Sequence, residues 1–362
     1  MKISFIIYGL RSGGAERAVS GLANYWVKNH EVSIITMVQS ESFYPLNPNI
    51  KTNYCLTYSK SSTNQFSSIK DALKRIKILI SHLNREKPDV VISFMTQTNI
   101  YAVWACKWLN IPCLVSERAN HELNPLPRFQ EILRDFSYSF CKGLVVQTSG
   151  NKKYYSKKTK SEKIKIIPNA VGKGFHRIMS ELDKSGENQI LNVGAFRNGK
   201  AQDILLRAFA KIDTSGWKLV FLGEGPNMEK YKALSKELAI EDKVCFKGAQ
   251  KDVASYYKKA SLFVFTSEHE GFPNALLEAL YFGLPCISTN CPHGPADMIT
   301  DGENGFLVPV GDVDTLATKM EELMHSDVLQ KRFRENAIRS TQKYEMEPIA
   351  KNWMEVIQNA IS

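Results

Sequence analysis

The sequence has no apolar run long enough to span a membrane, because its longest apolar runs are strand-sized. Its 362 residues are 43% hydrophobic and 23% charged, which is ordinary globular usage and excludes a wholly disordered chain. Seven cysteines stand at irregular spacings, which excludes a small disulfide scaffold and is typical of a reducing compartment. The apolar start, residues 1–10, is short and lacks a following cleavage site, so we interpret it as a buried strand and not as a signal peptide.

Familiar nucleotide- and metal-binding signatures are also missing. The glycine-rich stretch at residues 9–16 matches neither the dinucleotide fingerprint nor the Walker A pattern, although its paired glycines permit close approach of a phosphate or sugar. No Asp-x-Asp stands where a metal–nucleotide site would be expected, and Cys286, Cys291 and His293 lack zinc-site spacing. We therefore expect no metal and no cofactor.

Negative charge is scarce in the first half of the chain. The net charge of +10 comes from 47 basic and 37 acidic residues, but residues 1–170 hold 24 basic against only 11 acidic residues, a net of +13. A one-sided field of this kind attracts anionic lipid headgroups, diphosphates or nucleic acid. The alternative is a lysine-rich solvated surface.

Two basic stretches lie within this half. Residues 69–87 predict an amphipathic helix that packs on the core and is also able to touch an anionic surface. Residues 152–165 carry seven lysines and two tyrosines, but no zinc-finger or RNP-like motif accompanies them, so we expect no nucleic-acid partner. The apolar stripe predicted for the helix consists of Ile69, Ala72, Leu73, Ile76, Ile80 and Leu83.

Strand-like and helix-like segments alternate along the chain in two series. The first opens with a strand at 2–8, a helix from Gly13 and a strand at 31–37, which is the β-α-β unit of a parallel sheet. The second series begins near Gln189. We predict an α/β protein with two Rossmann-like doubly wound domains facing a cleft, where ligands bind beyond the carboxyl ends of the strands.

The predicted domain bounds follow from the same pattern. The first domain covers residues 1–170 and the second covers residues 189–345, with a linker at 171–188 where glycines interrupt the pattern. Residues 346–362 form a last helix.

The loop and helix at residues 270–278 form a candidate ligand site. Pro273 suits a first helical position, so the loop is predicted to present backbone N–H groups and the positive end of the helix dipole to an anion. Glu270 and Glu278 lie about 10–12 Å apart along the chain, which suits two polyhydroxyl groups such as a hexose and a ribose. The alternative is a capping glutamate followed by a solvated helix glutamate.

Two further strand exits carry charged side chains. Arg197 and Lys200 follow a strand of the second domain and are candidates to clamp a diphosphate, or are loop cations in solvent. Residues 116–121 leave a strand of the basic half with a polar cluster that includes Arg118 and His121. This cluster is positioned for an acceptor or leaving group, or is a structural loop.

Taken together, these stretches resemble the family 4 retaining glycosyltransferases of the two-domain GT-B fold, over nearly the whole chain. Residues 291–295 resemble bacterial polysaccharide and lipid-linked-oligosaccharide transferases that use UDP-hexose or UDP-N-acetylhexosamine. The motifs that carry the resemblance lie at residues 13–17, 166–171, 223–226, 270–280, 283–285 and 301–305.

The resemblance implies a role for each matching residue. Glu270 and the adjoining amides hold the donor sugar, Glu278 binds the ribose, and Lys200 with a nearby arginine binds the diphosphate. Family members commonly carry arginine where this chain has Ala195, and Arg197 is the candidate substitute. The expected catalytic residues are Glu270, Lys200 and Arg197; the expected donor-binding residues are Gly13, Gly14, Gly271, Phe272, Pro273, Asn274, Glu278 and Val253; Arg118 and His121 are expected on the acceptor side.

The resemblance also implies a function. We expect retaining, metal-independent transfer of a hexose or N-acetylhexosamine from a UDP-sugar to a glycan or polyprenyl-diphosphate-glycan acceptor in cell-surface polysaccharide assembly. The basic half then meets an anionic membrane, which places the protein in the cytoplasm, peripheral at the inner face of the plasma membrane. Two alternatives stay open: a nucleotide-sugar epimerase of GT-B fold, and a non-catalytic basic protein that binds nucleic acid or membrane.

Overall fold

The computed structural model describes residues 1–57, 65–171 and 188–362. These residues fall into two compact units, one made of residues 1–171 with 344–362 and the other of residues 188–343. The predicted linker at 171–188 lies outside the described residues except at its two ends. No helix within the described ranges is long and apolar enough to cross a membrane.

The first unit alternates strands and helices and takes its last helix from the end of the chain. Its elements are β1 (Lys2–Ile7), α1 (Gly14–Trp26), β2 (Glu31–Val38), β3 (Lys51–Leu56), α2 (Gln65–Glu86), β4 (Val90–Phe94), α3 (Thr96–Leu109), β5 (Cys113–Ser116), α4 (Arg128–Tyr138), β6 (Gly143–Val146), α5 (Ser149–Ser156), β7 (Ile164–Ile166) and α13 (Met346–Ile361).

The second unit repeats the alternation. Its elements are β8 (Asn188–Val193), α6 (Gln202–Phe209), β9 (Trp217–Leu222), α7 (Met228–Glu237), β10 (Val244–Phe246), α8 (Val253–Lys259), β11 (Leu262–Phe265), α9 (Asn274–Tyr281), β12 (Cys286–Thr289), α10 (Pro295–Met298), β13 (Phe306–Val308), α11 (Val313–Met324) and α12 (Asp327–Ser340).

The first unit is built on a seven-stranded parallel sheet in the order β3-β2-β1-β4-β5-β6-β7. The order reverses direction between β1 and β4, which is the switch point of a doubly wound sheet. Helices α1 and α13 pack on one face, and α2 to α4 pack on the other. The buried Trp353 of α13 stacks on Phe94 with ring centroids 5.9 Å apart, so the last helix completes the core of this unit.

The second unit has a six-stranded parallel sheet in the order β10-β9-β8-β11-β12-β13. Its direction reverses between β8 and β11. Both faces are covered by helices, and the core includes the buried rings of Phe196, Phe209, Phe221 and Phe333.

The apolar pattern does not predict three of the strands, and all three lie at sheet edges. These are β3, β7 and β13. Two of them have only three residues and β3 is largely exposed, so none carries the long continuous apolar run of a strand that is buried on both faces. Most other predicted bounds differ from the observed ones by one or two residues.

The stripe predicted for residues 69–87 is partly wrong. In α2, Leu79 and Leu83 are buried in the core, whereas Leu73 is exposed. At 3.6 residues per turn, positions 72, 76, 79 and 83 form one row along the helix, and residue 73 lies beside that row. The lysines at 70, 74 and 77 are exposed, as an amphipathic basic helix requires, and the side chain of Ile69 lies outside the described part of the chain.

Candidate functional site

The carboxyl ends of β8 and β11 lie side by side at the switch point of the second sheet. The loop after β8 carries Arg197 and Lys200, and the loop after β11 carries Glu270. Ligands of open α/β sheets bind at such switch points, because the loops diverge there and leave a crevice.

Lys200 and Glu270 form an ion pair across the switch point. The Lys200 Nζ lies 2.5 Å from the Glu270 Oε1, and the two side chains are only 16% and 11% exposed. The Lys200 Nζ also lies 5.6 Å from the centroid of the Phe265 ring. Water screens the attraction within this pair less than it screens a pair on the surface. A ligand that binds the Lys200 ammonium must therefore displace the Glu270 carboxylate, and a ligand that binds the carboxylate must displace the ammonium.

Backbone contacts hold the two loops together. The Glu268 N–H donates to the Gly199 carbonyl oxygen (2.9 Å), and the Thr266 hydroxyl donates to the Lys200 carbonyl oxygen (3.2 Å). These bonds fix the backbone on both sides of the ion pair, so the geometry of the pair is set by the loops and not by the long lysine side chain alone.

The loop after β9 supports the loop that carries Arg197. Gly223 has φ +138°, and a Cβ on it would lie 2.0 Å from the Gly194 carbonyl oxygen. Only glycine permits this approach. The Phe196 N–H then donates to the Glu224 carbonyl oxygen (3.0 Å), while the Arg197 side chain is exposed above this buried support.

Glu278 is buried, which rules out the solvated-helix alternative for this residue. The Tyr257 hydroxyl donates to the Glu278 Oε2 (3.0 Å) and also lies 3.2 Å from the Ala275 carbonyl oxygen. Glu270 and Glu278 therefore have different partners, one a lysine and the other a tyrosine. The contact from Tyr257 of α8 could not be read from sequence spacing.

The prediction that Pro273 occupies the first helical position after Glu270 is wrong. Pro273 is the N-cap of α9, and Asn274 is its first helical residue. The Asn274 N–H donates to the Phe272 carbonyl oxygen (3.0 Å), and proline has no N–H. Of the backbone N–H groups expected to bind a ligand at residues 271–274, those of Gly271 and Phe272 therefore remain as candidates.

A third loop, after β12, packs against the Glu270 loop. The Thr289 hydroxyl donates to the Ser267 carbonyl oxygen (2.6 Å), and a Cβ on Gly294 would lie 2.3 Å from the Pro273 Cδ. Burial raises the pKa of Cys291 to about 12, and the nearby Glu270 carboxylate adds to this shift. No group of three His, Cys, Asp or Glu side chains suited to a metal ion occurs among the described residues.

Val253, a predicted donor-binding residue, is the half-buried first residue of α8. The Asp252 side chain caps this helix by accepting from the Ser255 N–H (3.2 Å). The preceding strand exit is tied to the central loops, because the Gly223 N–H donates to the Gly248 carbonyl oxygen (2.9 Å). The sequence-predicted residues of the second unit therefore lie on linked loops at the carboxyl edge of one sheet, or in the helices α8 and α9 that follow those loops.

The predicted glycine site of the first unit lies at the start of α1. Gly13 is the N-cap, and a Cβ on it would lie 2.1 Å from the Glu16 Oε2. The Glu16 carboxylate therefore occupies the space beside Gly13, and burial raises the pKa of Glu16. An anion that approaches Gly13 and Gly14 would meet this carboxyl group first.

A buried polar cluster lies beyond β4 and β5 of the first unit, and the sequence pattern indicated two of its members, Glu117 and His121, but not Thr96 or Tyr138. Glu117 is fully buried; it accepts hydrogen bonds from the Tyr138 hydroxyl and from the Thr96 hydroxyl, the latter at 3.0 Å. Burial and the Glu117 charge raise the pKa of Tyr138. The available signal was positional, because Glu117 directly follows β5 and Thr96 lies two residues beyond the end of β4.

The structure places His121 inside this cluster. The side chain is buried, and its Nε2 lies 2.8 Å from the Thr96 Oγ1. Since the Thr96 hydroxyl donates to Glu117, its oxygen accepts from the His121 Nε2–H.

Arg118 has a separate environment. Its guanidinium stacks on the Phe94 ring at 4.6 Å and donates to the Asn169 Oδ1 at 2.6 Å. Burial lowers the pKa of Arg118 to about 9. The two residues expected on the acceptor side are thus held by different partners.

Comparison with known families covers both units. Residues 12–172 match the model of Glycosyltransferase Family 4, and residues 176–340 match the model of Glycosyl transferases group 1.

Curated relatives match over nearly their whole length. The GalNAc-α-(1→4)-GalNAc-α-(1→3)-diNAcBac-PP-undecaprenol α-1,4-N-acetyl-D-galactosaminyltransferase of Campylobacter jejuni is 34% identical over 99% of this chain and 98% of its own. The lipopolysaccharide 1,6-galactosyltransferase of Escherichia coli is 27% identical over 91% of this chain and 90% of its own.

Solved structures share the fold. The lipopolysaccharide outer core galactosyltransferase WaaB has a TM-score of 0.79 at 23% identity, over 99% of each chain. The HepE protein of Anabaena, solved with UDP, has a TM-score of 0.83 at 15% identity, over 99% of this chain and 100% of its own. These likenesses establish the GT-B fold.

The close packing of Gly294 gives a first testable prediction. We expect Gly294→Ala to lower the free energy of unfolding by about 2–3 kcal/mol, because the new Cβ would overlap Pro273 and φ is +125°. Gly311→Ala is the matched control, since its φ is +79° but nothing lies within 4 Å of the added Cβ. Urea denaturation followed by circular dichroism measures both, and equal losses would contradict the packing argument.

Proposed function

Since this chain belongs to glycosyltransferase family 4, we propose that it transfers a hexose or N-acetylhexosamine from a UDP-sugar to a lipid-linked glycan acceptor in cell-surface polysaccharide assembly. The observation that carries the proposal is the ion pair between Lys200 and Glu270 at the switch point, directly before α9. The relatives support the reaction class, because those of Campylobacter and Escherichia are named as transferases of this kind. That support favours a transferase over an epimerase or a nucleic-acid-binding protein.

In the proposed donor complex, the ion pair opens. The Lys200 ammonium turns to the diphosphate, and the Glu270 carboxylate is released to accept hydrogen bonds from hydroxyl groups of the sugar. Arg197, which is exposed on the same loop as Lys200, adds a second cation. Without donor, the two charges neutralise each other, which limits the cost of holding each of them in a poorly hydrated crevice.

The proposed chemistry is the loss of UDP from the anomeric carbon. The bond from C1 to the diphosphate oxygen breaks, and its electron pair leaves with UDP. Lys200, Arg197 and the N-terminus of α9 stabilise the developing negative charge without a metal. The acceptor oxygen bonds to C1 from the face that UDP leaves, and its proton passes to a diphosphate oxygen. The anomeric configuration is therefore retained.

Glu278 is proposed to bind the ribose of the donor. Tyr257 already donates a hydrogen bond to the Glu278 Oε2, and this bond fixes the carboxylate orientation. A carboxylate held in this way can accept from ribose hydroxyls through its remaining lone pairs.

The acceptor is proposed to lie on the cytoplasmic leaflet of the plasma membrane. Residues 1–170 carry a net charge of +13, which attracts anionic lipids and the diphosphate of a polyprenyl carrier. This charge favours peripheral attachment.

The ion pair generates the first test of the mechanism. We expect Lys200→Ala to lower kcat/KM for UDP-sugar by about 10²–10³, because the leaving diphosphate loses a fixed cation. Lys211→Ala is the matched control, since Lys211 pairs with Asp314 on the surface of the same unit. Rates are measured with and without EDTA, and EDTA should change neither. Full activity of Lys200→Ala, or loss of wild-type activity in EDTA, would refute this part of the scheme.

Donor binding gives a second test. Glu278→Gln should weaken UDP binding by about tenfold, since a charged acceptor becomes a neutral amide, and Tyr257→Phe should weaken it less. Tyr256→Phe, at the neighbouring position of α8, serves as the control. Isothermal titration calorimetry with UDP provides the dissociation constants. If Glu278→Gln bound UDP like the wild type, the ribose assignment would fail.

The stereochemistry of the product gives a third test. With a UDP-α-sugar, the product should carry an α-linkage, because attack occurs on the face that UDP leaves. The one-bond C1–H1 coupling constant in the NMR spectrum of the purified product distinguishes the two anomers. A β-linked product would show inversion and overturn the proposed mechanism.

A further inference from the structure

Helix α4 of the first unit exposes large apolar side chains along one face. Phe129 and Ile132 are 69% and 68% exposed, and Phe136 is also exposed. Their spacing of three and four residues places them in one row along the helix. The row continues past the helix to the exposed Phe140, whose ring centroid lies 5.3 Å from that of Phe136.

Helix α3 extends this row. The Trp104 ring lies 6.0 Å from the Phe136 ring and 5.5 Å from the Phe140 ring, and Trp108 stands one turn further along α3 at 79% exposed. A contiguous apolar surface of this kind is unusual on a soluble monomer and marks a contact surface. We call the following six residues the aromatic patch: Trp104, Trp108, Phe129, Ile132, Phe136 and Phe140.

The charged groups at the border of the aromatic patch are cationic. The Lys107 Nζ lies 3.2 Å from the centroid of the Phe140 ring, Lys142 is exposed two residues beyond Phe140, and the Lys163 Nζ lies 3.2 Å from the Ser139 carbonyl oxygen. Lys107 is the one charged residue in the sequence of α3.

The acidic residues of α4 are turned away from this border. Glu131 and Asp135 both pair with Lys158 and with the buried Arg134. Their charges are therefore neutralised on the side of α4 that packs on α5, and they do not oppose an anionic partner at the aromatic patch.

We propose that the aromatic patch inserts into the headgroup region of an anionic lipid bilayer and attaches the first unit to the membrane. This proposal rests on the proposed function, because it names the surface through which the enzyme would reach a lipid-linked acceptor. Tryptophan and phenylalanine beside lysine form the composition that binds at bilayer interfaces, where rings enter the acyl boundary and ammonium groups meet phosphates.

Helix α2 adds charge on the same side of the sheet. It packs against α3 and exposes Lys70, Lys74 and Lys77 together with Leu73. The apolar anchor and the basic helix thus lie on one face of the first unit and reinforce each other at an anionic surface.

The charges favour a bilayer over the other occupants of an apolar surface. Two copies joined through their aromatic patches would bring like-charged borders together, which costs energy. A nucleic acid would need cations along the centre of the surface, where Ile132 and Phe136 stand instead.

The test is co-sedimentation of the purified protein with vesicles of phosphatidylcholine alone and of phosphatidylcholine mixed with phosphatidylglycerol. We expect the wild type to bind the mixed vesicles, and the double variant Phe129→Ser with Ile132→Ser to bind them about tenfold more weakly or worse. Val328→Ser is the matched control, because Val328 is 82% exposed on α12 of the second unit and should have no effect. Lys107→Gln with Lys142→Gln should reduce the preference for phosphatidylglycerol, because the lysines of α2 remain.

Several results would overturn the proposal. Absence of wild-type binding, or equal binding by the double variant, would do so. Dimerisation is measured in parallel by sedimentation velocity, and RNA binding is measured with the same variants. If the double variant lost dimerisation or RNA binding but kept vesicle binding, the proposal would also be refuted.

The result for membrane binding can be distinguished from the result for sugar transfer. Vesicle binding requires no donor, and transfer to a short water-soluble acceptor should be equal in the wild type and the double variant. A wild type that binds vesicles but transfers no sugar would refute the proposed function and leave the membrane surface intact.

Discussion

The ion pair between Lys200 and Glu270 exists because two parallel strands end beside each other. In an open parallel sheet, the loops after neighbouring strands emerge at one edge, and at the switch point they diverge. The loops after β8 and β11 bring a cation and an anion together there, at low exposure. Two other features of the second unit hold this pair in place. They are the backbone hydrogen bonds between its loops and the packing of Gly294 on the loop that carries Glu270.

The same edge of the first sheet is built differently. Its buried centre is a carboxylate, Glu117, which receives hydrogen bonds from Thr96 and Tyr138 and has His121 beside it. These bonds compensate the loss of hydration that burial imposes on a charged group. Buried polar clusters of this kind fix loop geometry.

The two units therefore carry different chemistry on a similar architecture. The second gathers polar and charged groups at its sheet edge, where we propose that the sugar donor binds. The first carries a net charge of +13 over residues 1–170 and exposes the aromatic patch on α3, α4 and the segment that follows α4. Family 4 membership is consistent with this division, since the relative from Campylobacter jejuni is named as an N-acetyl-D-galactosaminyltransferase that acts on a diphospho-undecaprenol-linked glycan.

The alternation of strands and helices and the two doubly wound units could be predicted from the amino-acid sequence, because buried parallel strands need continuous apolar runs. The ends of these runs also located the glutamate and lysine residues at the strand exits. The sequence did not determine the short edge strands, which have no such run. Only the tertiary structure decided that Lys200 pairs with Glu270, that Tyr257 holds Glu278 and that His121 is buried. These contacts join residues 21 to 70 positions apart or depend on packing around a loop, and no local spacing encodes them.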